Sequence, residues 1–97
     1  MKAIFIAFNQ AYNDEIVDLL ERHGQRGFTR WTDILGRGGV DGEPHYGSHA
    51  WPVQNMAMLT VVEDEAVAPI LEDVAETDRR SPDLGLRAFV WDIEAKY

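Results

Sequence analysis

The sequence predicts an α+β fold with the element order β-α-β-β-α-β. Three observations predict it. Four runs, at residues 2–9, 27–35, 54–63 and 86–94, carry apolar side chains on both alternating sets, as strands do. Two stretches between them, following Asn13 and Asp64, repeat apolar residues at helical spacing. A stretch at residues 36–53, between the second and third runs, holds five of the eight glycines and two of the three histidines. A long polar excursion of that kind in so short a chain reads as a functional loop on a scaffold.

Residues 2–9 set Ala3, Phe5 and Ala7 against Ile4, Ile6 and Phe8, which suits a central strand covered on both faces. Asn13 is the expected N-cap of the first helix, with Asp14 and Glu15 in the first turn, where the helix dipole favours negative charge. Ile16, Val17, Leu19 and Leu20 form its apolar stripe, and Gly24 its stop, after Arg22 and His23. His23 is expected to meet the terminal carbonyls of that helix. Residues 27–35 follow as a strand, with Phe28 and Ile34 on one parity and Trp31 and Leu35 on the other. Residues 54–63 resume as a strand, Met56, Met58 and Val62 opposite Ala57, Leu59 and Val61. In the second helix, capped by Asp64, Val67, Ile70, Leu71 and Val74 make the buried stripe. Pro69 predicts a late start or a kink, and the helix must end before Ser81-Pro82. Its carboxylates (Glu65, Glu72, Asp73, Glu76, Asp78) read as the solvated face. Residues 86–94 close the order as a strand, Ala88 and Val90 opposite Phe89, Trp91 and Ile93.

This order is the ferredoxin-like split βαβ arrangement: a four-stranded antiparallel sheet with two helices on one face. A single domain over residues 1–97 is expected, with its long loop at about 36–53. Two helices cover one face of such a sheet, yet every strand is apolar on both parities. An exposed apolar face of that size marks an interface, and a standard interface covers about 800 Å² per partner. A homo-oligomer follows, trimer or dimer.

Composition removes several classes of function. The net charge of −8 argues against nucleic-acid binding and against adsorption to an anionic membrane. Seven of the nine basic residues are Arg, so local anion sites remain open. The absence of cysteine excludes disulfides and thiolate metal sites, and fits a reducing compartment. The apolar run at the N-terminus is too short for a signal peptide or a membrane span, so a cytoplasmic protein is expected.

The loop offers two kinds of site. His45 and His49, near Glu43, Asp41 and Tyr46, supply imidazole and carboxylate suited to a divalent transition metal, although Pro44 and Gly47 oppose the helix that would align them. Gly36-Arg37-Gly38-Gly39 leaves a strand in a turn whose amides can form an anion nest. Arg79, Arg80 and Arg87 bracket the last helix-to-strand connection and can contact phosphate. Trp31, Trp51 and Trp91 read as core or interface, Trp51 being set within the loop. No triad or acid–base pair is legible, and Ser48 lacks the strand–turn–helix context of a nucleophile elbow.

Over essentially its whole length the chain resembles the PII-like signalling superfamily. The first helix ending in Gly24 before Gly27-Phe28-Thr29, the Gly36-Arg37-Gly38 exit from strand two, the long following loop and residues 86–94 carry the likeness. The loop run Gly-Glu-Pro-His-Tyr-Gly-Ser-His-Ala-Trp-Pro looks like a divergent, short-loop group associated with heavy-metal efflux; CutA-type proteins are a neighbouring comparison. The resemblance implies a homotrimer with packed central sheets and adenine nucleotides bound in clefts between subunits. It places Gly36, Arg37 and Gly38 at the base of the partner-docking T-loop, with Arg87 at a phosphate-contacting position. It also implies docking of that loop, with Tyr46 and Trp51, onto a partner such as a membrane transporter or efflux pump. The chain departs from classical members in lacking their loop-base Gln and in a shorter connection before the last strand. The expected function is regulatory, responding to a metal ion or a nucleotide. The alternative is a small dimeric, cofactor-independent monooxygenase-type enzyme using Asn9, Trp31 and His23.

Overall fold

The computed structural model describes residues 1–37, 44–45, 54–82 and 85–97, with Arg37, Pro44 and His45 described by their backbone. Strand β1 (Lys2–Asn9) leads through a 3-10 turn (Gln10–Tyr12) into helix α1 (Asn13–Arg22). Strands β2 (Thr29–Ile34), β3 (Gly36–Arg37), β4 (Pro44–His45) and β5 (Asn55–Val62) follow, then helix α2 (Asp64–Arg80) and strand β6 (Arg87–Asp92). The main sheet is antiparallel in the order β2-β5-β1-β6, so β1 is central, as its composition predicts, with β5 beside it. This is the ferredoxin-like α+β arrangement.

Directly paired residues share a face, and the register divides the sheet cleanly. Ile4, Ile6 and Phe8 pair with Thr60, Met58 and Met56, and Ile4 and Ile6 also pair with Val90 and Ala88. Most of these, with Ile16, Leu19 and Leu20 of α1 and Ile70 and Val74 of α2, make the core. The opposite face carries Ala3, Phe5 and Ala7, paired with Val61, Leu59 and Ala57 on one side and with Trp91, Phe89 and Arg87 on the other.

Several boundaries differ from expectation for local reasons. Asn9, rather than Asn13, does the capping: its Oδ1 accepts from the Ala11 N–H at 2.9 Å as the 3-10 turn begins. Asn13 is the first residue of α1, and its Oδ1 accepts from the Arg30 guanidinium at 2.9 Å. Gly24 does end α1, at φ 72°, and the Gln25 N–H reaches back to the Leu20 carbonyl at 2.9 Å, closing a Schellman-type stop. Pro69 neither delays nor ends α2, which runs through it from Asp64. Pro69 and Glu65, whose carbonyl loses its intrahelical donor, are both exposed, so water can satisfy that group. The loop expected to begin at residue 36 starts instead with a two-residue ladder, Gly36 opposite His45 and Arg37 opposite Pro44. Among the described residues, no helix is long and apolar enough to cross a membrane.

Candidate functional site

The uncovered sheet face ends in a cleft of about 370 Å³ where the exit of β2 faces the start of β6. Phe5 and Ala7 of β1 form its floor, Ile34, Leu35 and Gly36 one wall, and Gly85, Arg87 and Phe89 the other. Asn55 closes the inner end, 7% exposed. Gly36 approaches it closely: a Cβ on it would lie 2.7 Å from Asn55 Nδ2, so any larger residue would displace the Asn55 amide. The cleft is mostly apolar, with one cationic side chain. Arg87 Nη1 donates to the Leu86 carbonyl at 2.7 Å, which fixes the root of the guanidinium at the wall. An apolar lining with one fixed cation suits a ligand that has a flat apolar part and an anionic part.

Two of the six residues read from the sequence as ligand-binding, Gly36 and Arg87, share this cleft. Arg37 adjoins it in the β3–β4 ladder, and Gly38 lies outside the described residues. The structure does not bring Arg79 and Arg80 to it within one chain. Arg79 pairs with Glu76 at 2.6 Å and Arg80 reaches Thr77 Oγ1 at 3.4 Å, both along α2. Of the residues read as metal ligands, His45 is placed opposite Gly36, whereas Glu43 and His49 lie outside the described residues, as do Tyr46 and Trp51. No group of three or more His, Asp or Glu that could hold a metal forms among the described residues. Asn9, His23 and Trp31 do not converge: Asn9 caps the 3-10 turn, His23 sits on the helix side and Trp31 on the uncovered face.

His23 corrects the sequence reading most sharply. Its backbone N–H meets the Leu20 carbonyl, but its imidazole crosses to α2, with Nε2 3.0 Å from Asp73 Oδ2. Arg22 Nη2 reaches the same oxygen at 3.0 Å, so Asp73 is a clasp between the helices rather than part of a solvated face. Burial alone would push the Asp73 carboxyl up; the bonds and charges from Arg22 and His23 outweigh it and hold the group below the usual carboxylate value. Beside the clasp lies a second cleft of about 360 Å³ lined by Pro69, Glu72, Glu76 and Arg79, on the opposite side of the sheet from Arg87.

Asn55 is the cleft residue that sequence reasoning missed. The one available signal was an Asn opening an otherwise apolar strand, which pattern alone assigns to a strand end.

The family model for nitrogen regulatory protein P-II matches residues 1–96. The chain belongs to that family. Among solved structures, CPII from Thiomonas intermedia K12 bound to ADP and bicarbonate is similar at 27% identity and TM-score 0.77, covering 95% of this chain and 84% of that one. The same nitrogen regulatory PII-like protein bound to ADP, AMP and bicarbonate is similar at 25% identity and TM-score 0.77, with the same coverage. A PII-like signalling protein from Thermus thermophilus shares the fold at 24% identity and TM-score 0.69, covering 95% and 85%. No curated protein matches the chain.

Proposed function

We propose that this chain is a cytoplasmic PII-like regulator: a single-domain homotrimer that binds an adenine nucleotide in the β2–β6 cleft. Its loop then presents that state to a partner protein, such as a transporter. The observation that carries the reading is the convergence of Gly36, at the root of the loop, and Arg87, the cation of the cleft, on a mostly apolar pocket. The family and the ADP and bicarbonate of CPII support it. The apolar walls suit an adenine ring, and Arg87 suits its phosphates or a small oxyanion. A cyclic assembly sets one surface of a protomer against a different surface of the next. The uncovered face and the cleft at its edge would then be closed by a neighbouring subunit.

The test is a ligand panel of ADP, AMP, ATP, bicarbonate and zinc, read by thermal shift and calorimetry. Stabilisation by an adenine nucleotide is expected, and Arg87→Ala should weaken it by about 1.5–3 kcal/mol, the worth of a hydrogen bond to a charged group. Stabilisation by zinc alone, lost when His45 and His49 become Ala, would overturn the nucleotide reading and restore the loop as a metal site. Light scattering should give the mass of three chains; a dimer would favour the enzymatic alternative.

A further inference from the structure

The wall of the cleft depends on an irregularity in β2. Thr29, Arg30 and Trp31 pair in regular succession with Leu59, Met58 and Ala57, a register that would continue to Asp33 opposite Asn55. Instead Ile34 stands opposite Asn55, because β2 holds one residue more than β5 between these pairs. This is a β-bulge, a device that bends a strand and re-aims its side chains. Its extra length is absorbed at Asp33, whose φ is 57°, the one positive value at a non-glycine position among the described residues. Asp and Asn tolerate that conformation better than other side chains, and β-branched residues tolerate it least.

The bulge has two consequences for the cleft. In a regular strand the Asp33 carboxylate would project from the uncovered face beside Asn55, at the inner end of the pocket that Arg87 lines. In the bulged strand Ile34 takes that place, Asp33 is exposed, and Gly36 comes so close to Asn55 that a Cβ there would force the Asn55 amide to shift. We propose that Asp33 is a positioning residue for the cleft: the bulge it holds keeps its own carboxylate out of the site and seats Ile34 and Gly36 against Asn55, so that an anionic ligand can lie beside Arg87. The proposal rests on the nucleotide reading above for the ligand, but not for the geometry.

Asp33→Asn and Asp33→Gly keep a residue that accepts positive φ; Asp33→Val does not. Amide spectra of the apo protein should show Gly36, the Asn55 side chain and Arg87 unmoved in the first two and shifted together in the third. ADP binding should follow the same division, retained in Asn and Gly and weakened about tenfold or more in Val, as expected when the shape of a complementary wall is lost. If the Val variant does not fold, Asp33→Ala, with a Cβ but no branch, takes its place under the same criteria. The proposal is overturned if the Val or Ala variant leaves the Gly36 and Asn55 signals in place. It is equally overturned if Asn disturbs them as much as Val, since charge rather than backbone would then be responsible. Should the wild-type chain bind no ADP, the nucleotide reading fails by itself, and the apo spectra still decide the role of the bulge.

Discussion

The two faces of the sheet are made by the same strands and have opposite fates. On the helix side, Ile4, Ile6, Phe8 and Met58 are completely buried, and α1 and α2 close over them. On the other side, Trp31, Trp91 and Phe89 remain 44%, 48% and 59% exposed, with Phe5 and Trp31 in a tilted ring contact at 6.3 Å. Both faces are apolar, so hydrophobicity alone does not say which one is the core. What separates them is local chain geometry: each strand-to-helix connection returns its helix to the same side, and only one side is filled intramolecularly. The core face therefore reports on folding of the chain, and the open face on what covers it afterwards.

The sharpest break between the faces should come from truncating one side chain on each. Phe8→Ala removes a fully buried ring from the covered face and should cost about 3–5 kcal/mol, a large share of the stability of a domain this small. Chemical denaturation would read it, as a lowered midpoint whether or not the chains associate. Phe89→Asp should act the other way round. It leaves the folded protomer's spectrum and core intact while placing a charge on the open face, and should cost about 2 kcal/mol or more per contact if a second copy covers that face. Mass by light scattering would then fall toward a single chain, and an unchanged mass would refute coverage of Phe89 by another copy.

How much of this was legible in the sequence follows the same division. Strand parity depends on alternation within eight residues, so both apolar faces of β1 and β5 are readable directly, as are the stripe of α1 and its Gly24 stop. The order of elements then fixes the topology. What pattern reading could not supply were features made between distant residues or by a count of one. The bulge adds a single residue to β2 relative to β5, invisible without knowing the pairing. Asn55 becomes part of a cleft only because Gly36 meets it. The separation of Arg79 from Arg87 arises because α2 continues to Arg80 before the chain turns, which carries Arg79 to Glu76 on the helix side. The clasp of His23 and Arg22 on Asp73 spans about fifty residues, and no local rule distinguishes Asp73 from Glu72 beside it.

That clasp gives the smallest effect, and one that tells the rim of the covered face from its centre. The core side chains are apolar and their contribution does not change with pH, whereas the Asp73 carboxylate is partly buried between the Arg22 guanidinium and the His23 imidazole. Its carboxyl is held below the ordinary value in the folded chain, so the unfolded chain binds a proton there first as pH falls. Its stabilisation is therefore complete above the usual carboxylate pKa and is lost as pH drops through the lower, folded value. Asp73→Asn, which keeps the shape and one acceptor, should lower stability at neutral pH by about 0.5–1 kcal/mol, the range for a partly exposed ion pair. The deficit should vanish at acid pH, where the wild-type carboxyl is also neutral. Denaturation midpoints of the two proteins measured from neutral to strongly acid pH would show converging curves; parallel curves would mean that the interhelical contact is made by shape alone and that the carboxylate charge contributes nothing to it.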